Sequence, residues 1–225
     1  RLARPDAGVP TQLRIINEAN DWRDGWYAID DISFTVENSV DLTTTFTEGF
    51  ENYPVRTSTT DDADPQGSWI TSETSAAGSG AQRAPAKVQV VDEAATGVKP
   101  RSGTKCLKVE GGQRAGASIA WGVPPQSDVQ ITWWAYVPQS VAGQQALYLR
   151  MSLYGVEDLS SWKGDASLLA YGSRDATVGD ATSLLLYPPG TVWVDSKIDY
   201  TPSTWEEYRL VTHTAINAYT LIKDP

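Results

Sequence analysis

Two adjacent aspartates, Asp30 and Asp31, sit inside Trp26-Tyr27-Ala28-Ile29-Asp30-Asp31-Ile32-Ser33-Phe34-Thr35-Val36, a run that otherwise reads as a β-strand. Successive strand residues face opposite sides, so one of the two carboxylates is expected to point inward. A buried carboxylate is costly unless it is paired or bound to a metal, which makes this pair the first candidate for cation chemistry. The triplet Asp61-Asp62-Ala63-Asp64 is a weaker candidate and reads more readily as a solvated acidic loop. Nucleophilic catalysis has little to work with. His213 is the only histidine and lies in the strand-like Tyr208-Arg209-Leu210-Val211-Thr212-His213-Thr214. No Gly-x-Ser-x-Gly elbow is present, and Cys106, the single cysteine, alternates within Lys105-Cys106-Leu107-Lys108-Val109 like a small core residue. One His and one Cys cannot make a zinc site, and one Cys makes no intrachain disulfide. These residues point away from an enzyme.

Aromatic side chains offer a second chemistry. Nine tryptophans and ten tyrosines provide flat faces for pyranose rings or for a subunit interface. In Val129-Gln130-Ile131-Thr132-Trp133-Trp134-Ala135-Tyr136-Val137 the alternation sends Trp133 to the core and Trp134 with Tyr136 to the other face. Trp162, in a loop at 155–165 with Glu157, Asp158 and Asp165, is the third candidate for sugar stacking.

The elements that must position these residues are strands. Short alternating runs separated by Gly, Pro, Asp and Ser clusters predict strands at 12–17, 27–36, 42–50, 87–91, 105–110, 117–121, 129–138, 145–154, 167–171, 183–187, 191–200, 204–214 and 218–223. Residues 56–83 read as a long loop with a short strand near 68–71. The fold class is all-β. A net charge of −10 selects against nucleic acid and anionic membranes. No run approaches the ~20 apolar residues of a spanning helix, so membrane insertion is not expected.

The run "LRIINEANDWRDGWYAIDDISF" (13–34) resembles the closing hairpin of jelly-roll modules in bacterial secreted and surface proteins. "FTEGFENYP" (46–54) and "VQVVDEAATGVKPRSGTKCLKVEGG" (88–112) are similar to the opening half of such a module, and to laminin-G-like and carbohydrate-binding jelly rolls. The resemblance covers the hairpin well and 45–137 loosely, and it fades in the last third. It implies an extracellular or cell-surface protein and a structural calcium. The implied ligands are Glu51, with Glu48 as a second choice, and Asp30 or Asp31. The order is inverted, because the closing aspartates precede the opening glutamate.

That inversion yields two units: residues 1–40, the closing strand pair of a preceding or neighbouring sandwich, and residues 41–225, a jelly-roll β-sandwich lacking its own last strand. Two strands alone are marginal in water, so the first unit must pack on something. One answer is donation to an adjacent subunit, with Ile29, Ile32, Phe34 and Val36 as the apolar side chains of the donor strand. The expected function is then a non-catalytic structural subunit that assembles with itself into a filament or surface layer. Alternatives are a truncated multi-module fragment, and a carbohydrate-binding or adhesive module using Trp134, Tyr136 and Trp162 on a glycan.

Overall fold

The structure is a computed structural model and describes residues 11–18, 26–38, 41–55, 69–73, 87–110, 113–121, 128–139, 149–154, 166–171, 182–186, 194–213 and 218–224. Apart from one short helix, its regular elements are strands: β1 (Thr11–Glu18), β2 (Trp26–Asn38), β3 (Asp41–Glu48), β4 (Trp69–Glu73), β5 (Lys87–Asp92), β6 (Lys105–Glu110), β7 (Gln113–Trp121), β8 (Asp128–Tyr136), β9 (Leu149–Tyr154), β10 (Ala166–Tyr171), β11 (Ser183–Leu186), β12 (Val194–Asp199), β13 (Trp205–His213) and β14 (Ala218–Lys223). The helix, α1 (Glu93–Thr96), follows β5; Asp92 caps its start by accepting from Ala95 N at 3.0 Å. Gly97 ends it at φ 69, the left-handed conformation that a helix C-cap favours. No helix among the described residues is long and apolar enough to cross a membrane.

The strands form two seven-stranded antiparallel sheets, giving a sandwich-like all-β architecture. One runs β12-β11-β10-β9-β1-β7-β4; the other runs β14-β13-β8-β2-β6-β5, with β3 also paired to β2. The N-terminal segment thus lies inside both sheets. β1 is held between β7 and β9, and β2 between β6 and β8 of its own chain. β5 and β6 approach β4, β1 and β7 of the facing sheet.

Alternation decides what is buried. Ile131, Trp133 and Ala135 of β8, and Val137 just after it, are buried, as their spacing predicts. Trp133 stacks on Tyr208 of β13 at 5.8 Å, and Tyr27, Ile29, Phe34, Leu107, Val109 and Leu210 are buried as well. Three of the donor-strand residues, Ile29, Ile32 and Phe34, are at most 1% exposed. Val36 pairs with Val129 in the backbone register, and its side chain lies outside the described residues.

Beside β13, Glu206 accepts from Tyr208 Oη at 2.6 Å and Thr201 N at 2.9 Å, and it pairs with Lys223 Nζ at 2.7 Å. Burial alone would raise its pKa, but these donors outweigh it and hold the carboxyl below the usual range. Asp224 pairs with Arg209 at 2.7 Å, so two ion pairs pin the C-terminal strand to β13.

Candidate functional site

The centre of interest is the connection from β5 to β6, residues 93–104, which folds back across the outer face of its sheet. Trp205 of β13 donates its indole N–H to Lys99 O at 2.8 Å. The Arg101 guanidinium lies 3.9 Å over the Trp134 ring of β8. Ser102 donates its N–H to Asp30 Oδ2 at 3.3 Å and its hydroxyl to Asp31 Oδ1 at 2.6 Å, both on β2. A strap leaving the β5 edge therefore touches three strands before returning to β6.

A β-bulge explains how both aspartates reach it. Asp30 pairs with Trp134 and Ser33 with Thr132, so β2 has one residue more than β8 in this stretch. Asp31 takes up the extra residue at φ 47, the left-handed region that Asp tolerates better than most. The expectation that one of the two carboxylates is buried holds for Asp30, but strand alternation is not what buries it. The bulge interrupts the alternation, keeps Ile29 and Ile32 both inside, and turns Asp30 and Asp31 both toward Ser102. Asp30 is still 0% exposed, because the strap covers it.

Burial raises the Asp30 pKa to about 7, and the neighbouring Asp31 charge adds to the rise. The backbone N–H groups of Asp31, Ser102 and Arg101 pull the other way without cancelling it. Among the described residues no lysine or arginine forms an ion pair with Asp30.

Of the two glutamates of the opening element, Glu51 meets the same strap. Glu51 Oε1 accepts from Thr104 N and Lys105 N, each at 2.9 Å, and Oε2 accepts from Thr104 Oγ1 at 2.8 Å. Its slight burial would raise its pKa, yet these donors and the Lys105 charge lower it. Lys105 Nζ caps Glu51 O at 2.8 Å and Tyr53 O at 2.6 Å. Glu48 closes the turn itself, accepting from Phe50 N at 2.7 Å and Tyr53 Oη at 2.8 Å. A side chain on Gly49 would sit 3.5 Å from Asp31 Oδ1, which places this turn beside the aspartate pair. Asp30, Asp31 and Glu51 thus all bond to residues 102–105, despite their inverted order in the chain.

Gly103 makes that approach possible. It has φ 55, and a Cβ there would overlap the Glu51 carboxylate. Gly97 has φ 69, but a Cβ there would meet nothing within 4 Å. Gly103→Ala is expected to destabilise the fold by about 1 kcal/mol more than Gly97→Ala, since the backbone strain is shared and only Gly103→Ala also displaces the Glu51 carboxylate from its hydrogen bonds. Urea unfolding of the two variants measures the difference.

For a calcium ion the donor chemistry fits, since Asp30, Asp31, Glu51, Ser102 and Thr104 present only oxygen ligands. The placement is another matter. No group of three or more His, Cys, Asp or Glu among the described residues is arranged to hold a metal, and the Asp30 and Glu51 oxygens face N–H donors.

The aromatic candidates separate. Trp134 and Tyr136 do leave the core, as alternation requires, but neither stands free. Trp134 lies under Arg101, and Tyr136 lies between Trp26, stacked at 6.0 Å, and Trp205, tilted at 5.6 Å. Trp162 lies outside the described residues. Trp26, Tyr136 and Trp205 pack over Ala28, Val91 and Cys106 as a small second core on the outer face. Burial there pushes the Cys106 thiol up to about 12, with Asp30, Asp92 and Glu51 adding to the rise, so it stays protonated and inert.

Sequence reasoning missed the strap residues Lys99, Arg101, Ser102, Gly103 and Thr104, and also Trp26 and Trp205. The available signal was the turn-rich Gly97-Val98-Lys99-Pro100-Arg101-Ser102-Gly103 between two alternating runs. No family model matches the chain, and neither a curated protein nor a solved structure matches it.

Proposed function

We propose that this chain is a non-catalytic subunit of an extracellular or cell-surface assembly, a jelly-roll sandwich that joins copies by exchanging its N-terminal strands. The observation that carries the reading is the position of β1 and β2, which follow one another in the chain and supply an interior strand to each sheet. β3 pairs with β2, so β1, β2 and β3 form a natural exchange unit. If a neighbour accepts this unit, it makes the same pairings and buries the same Ile29, Ile32 and Phe34. Only the hinge differs, which makes such swaps a low-cost route to oligomers. A head-to-tail swap that does not close continues as a filament.

Calcium belongs to the same proposal. To hold it, Asp30, Asp31 and Glu51 would have to turn away from the N–H and O–H donors they now face, since as placed they form no metal group among the described residues. Its charge would then offset a buried carboxylate with which no basic side chain among the described residues pairs. A ligand that binds only the folded state at about 100 times its Kd adds roughly 2.7 kcal/mol. Calcium is therefore expected to raise Tm by roughly 5–11 °C for a chain of this size, and the gain should vanish in Asp30→Asn.

A second reading, a glycan-binding or adhesive module, draws on the adjoining partly buried rings of Trp26, Tyr136 and Trp205. Light scattering and electron microscopy at high protein concentration, with calcium and with chelator, discriminate the two. Oligomers or filaments are expected. A monomer under every condition overturns the subunit reading and leaves oligosaccharide titration as the test of the second.

A further inference from the structure

We infer that the 93–104 strap is a latch on the N-terminal strands, setting how readily they leave their own chain; the inference rests on the strand-exchange reading above. The strap belongs to the part of the fold that would receive a donor strand. It leaves β5, returns to β6, and is fastened to β13 through Trp205 and to β8 through Arg101 over Trp134. Its other contacts go to the part that would leave. Ser102 grips Asp30 and Asp31 across a separation of about seventy residues in sequence, at the one place where β2 bulges away from β8. Thr104 and Lys105 then grip Glu51, in the turn directly after the exchange unit.

The pairing of β2 with β6 and β8 is ordinary ladder bonding, and a swapped copy would recreate it. The strap contacts differ in kind. Those from Ser102 Oγ to Asp31 and from Thr104 and Lys105 to Glu51 are hydrogen bonds to carboxylates, and the strap contacts concentrate at the bulge and at the hinge. Withdrawal of β2 has to break the Ser102 bonds, because they tie Asp30 and Asp31 of β2 to the strap.

The test compares the full chain with the double variant Ser102→Ala/Thr104→Val, which removes two hydroxyl donors without changing the backbone. The readout is the rate at which a fluorescent peptide spanning residues 11–48 is taken up by the folded protein in calcium-free buffer. The expected result is uptake roughly 10- to 100-fold faster in the double variant, the factor that losing two charge-assisted bonds implies. Ser102→Thr/Thr104→Ser, which keeps both hydroxyls, should stay near the parent rate. Asp224→Asn breaks the ion pair between Arg209 of β13 and the residue just after β14, and controls for general loss of stability. Equal uptake by parent and double variant, or equal acceleration by Asp224→Asn at matched stability, overturns the latch and leaves strand exchange standing. No uptake by any of the proteins overturns the exchange reading, and the latch with it.

Discussion

A chain that begins at residue 39 is expected not to fold, and a synthetic peptide of residues 11–38 added in trans should restore it. Deletion removes an interior strand from each sheet and leaves β7, β9, β6 and β8 each lacking a neighbour. Full burial of an Ile or Phe side chain is worth about 1.5–3 kcal/mol, so Ile29, Ile32 and Phe34 alone contribute roughly 4–9 kcal/mol. The total stability of a domain is about 5–15 kcal/mol. That loss alone approaches the whole margin, before counting Tyr27 or the broken ladders. Circular dichroism and the intensity of tryptophan fluorescence would report the recovery. A well-folded, cooperatively melting chain 39–225 without peptide would show that these strands are dispensable and would remove the basis for exchange.

In metal-free buffer, stability should fall as pH rises from about 4 to about 7, and Asp30→Asn should abolish that slope. The folded chain holds the Asp30 proton up to about pH 7, whereas the unfolded chain releases it near the ordinary value of 3.8. Between these limits the native state binds more protons, so the contribution is fully present below about pH 4 and lost by about pH 7. Three pH units correspond to something on the order of 4 kcal/mol. Glu51 and Glu206 have lowered values and act in the opposite sense, losing their contribution as pH drops through the carboxylate range. Denaturant midpoints at pH 5 and pH 8 for both proteins isolate the Asp30 part. Saturating calcium should flatten the parent's slope as well, since a bound cation favours the charged carboxylate. A parent protein equally stable at both pH values without metal would mean that Asp30 is not the buried, uncompensated acid described above.

How much of this could be read from the chain depends on the range of the interactions involved. The strand at Asp128–Tyr136 and the burial of Trp133 were legible because a two-residue period is a local property. The same period misled at Asp30-Asp31, where the bulge depends on the register against β8, roughly a hundred residues away. The strap was visible only as a turn-rich interval; nothing local said that it would cross three strands or that Ser102 would face Asp30. Trp134 and Tyr136 were placed on the correct face, but their covers, Arg101, Trp26 and Trp205, come from three other segments.

The sequence by itself determined an all-β chain, the inward stripes of its strands, the poverty of nucleophilic chemistry and the carboxylates worth watching. All of these follow from residue type and nearest-neighbour spacing. Tertiary structure decided that β1 and β2 lie in the interior of the two sheets and that Asp30, Asp31 and Glu51 meet at one loop, although the closing element precedes the opening one. The physical reason is that antiparallel pairing is indifferent to chain order. A strand fills whichever gap its register and apolar face match, and only the assembled sheets say where that gap is.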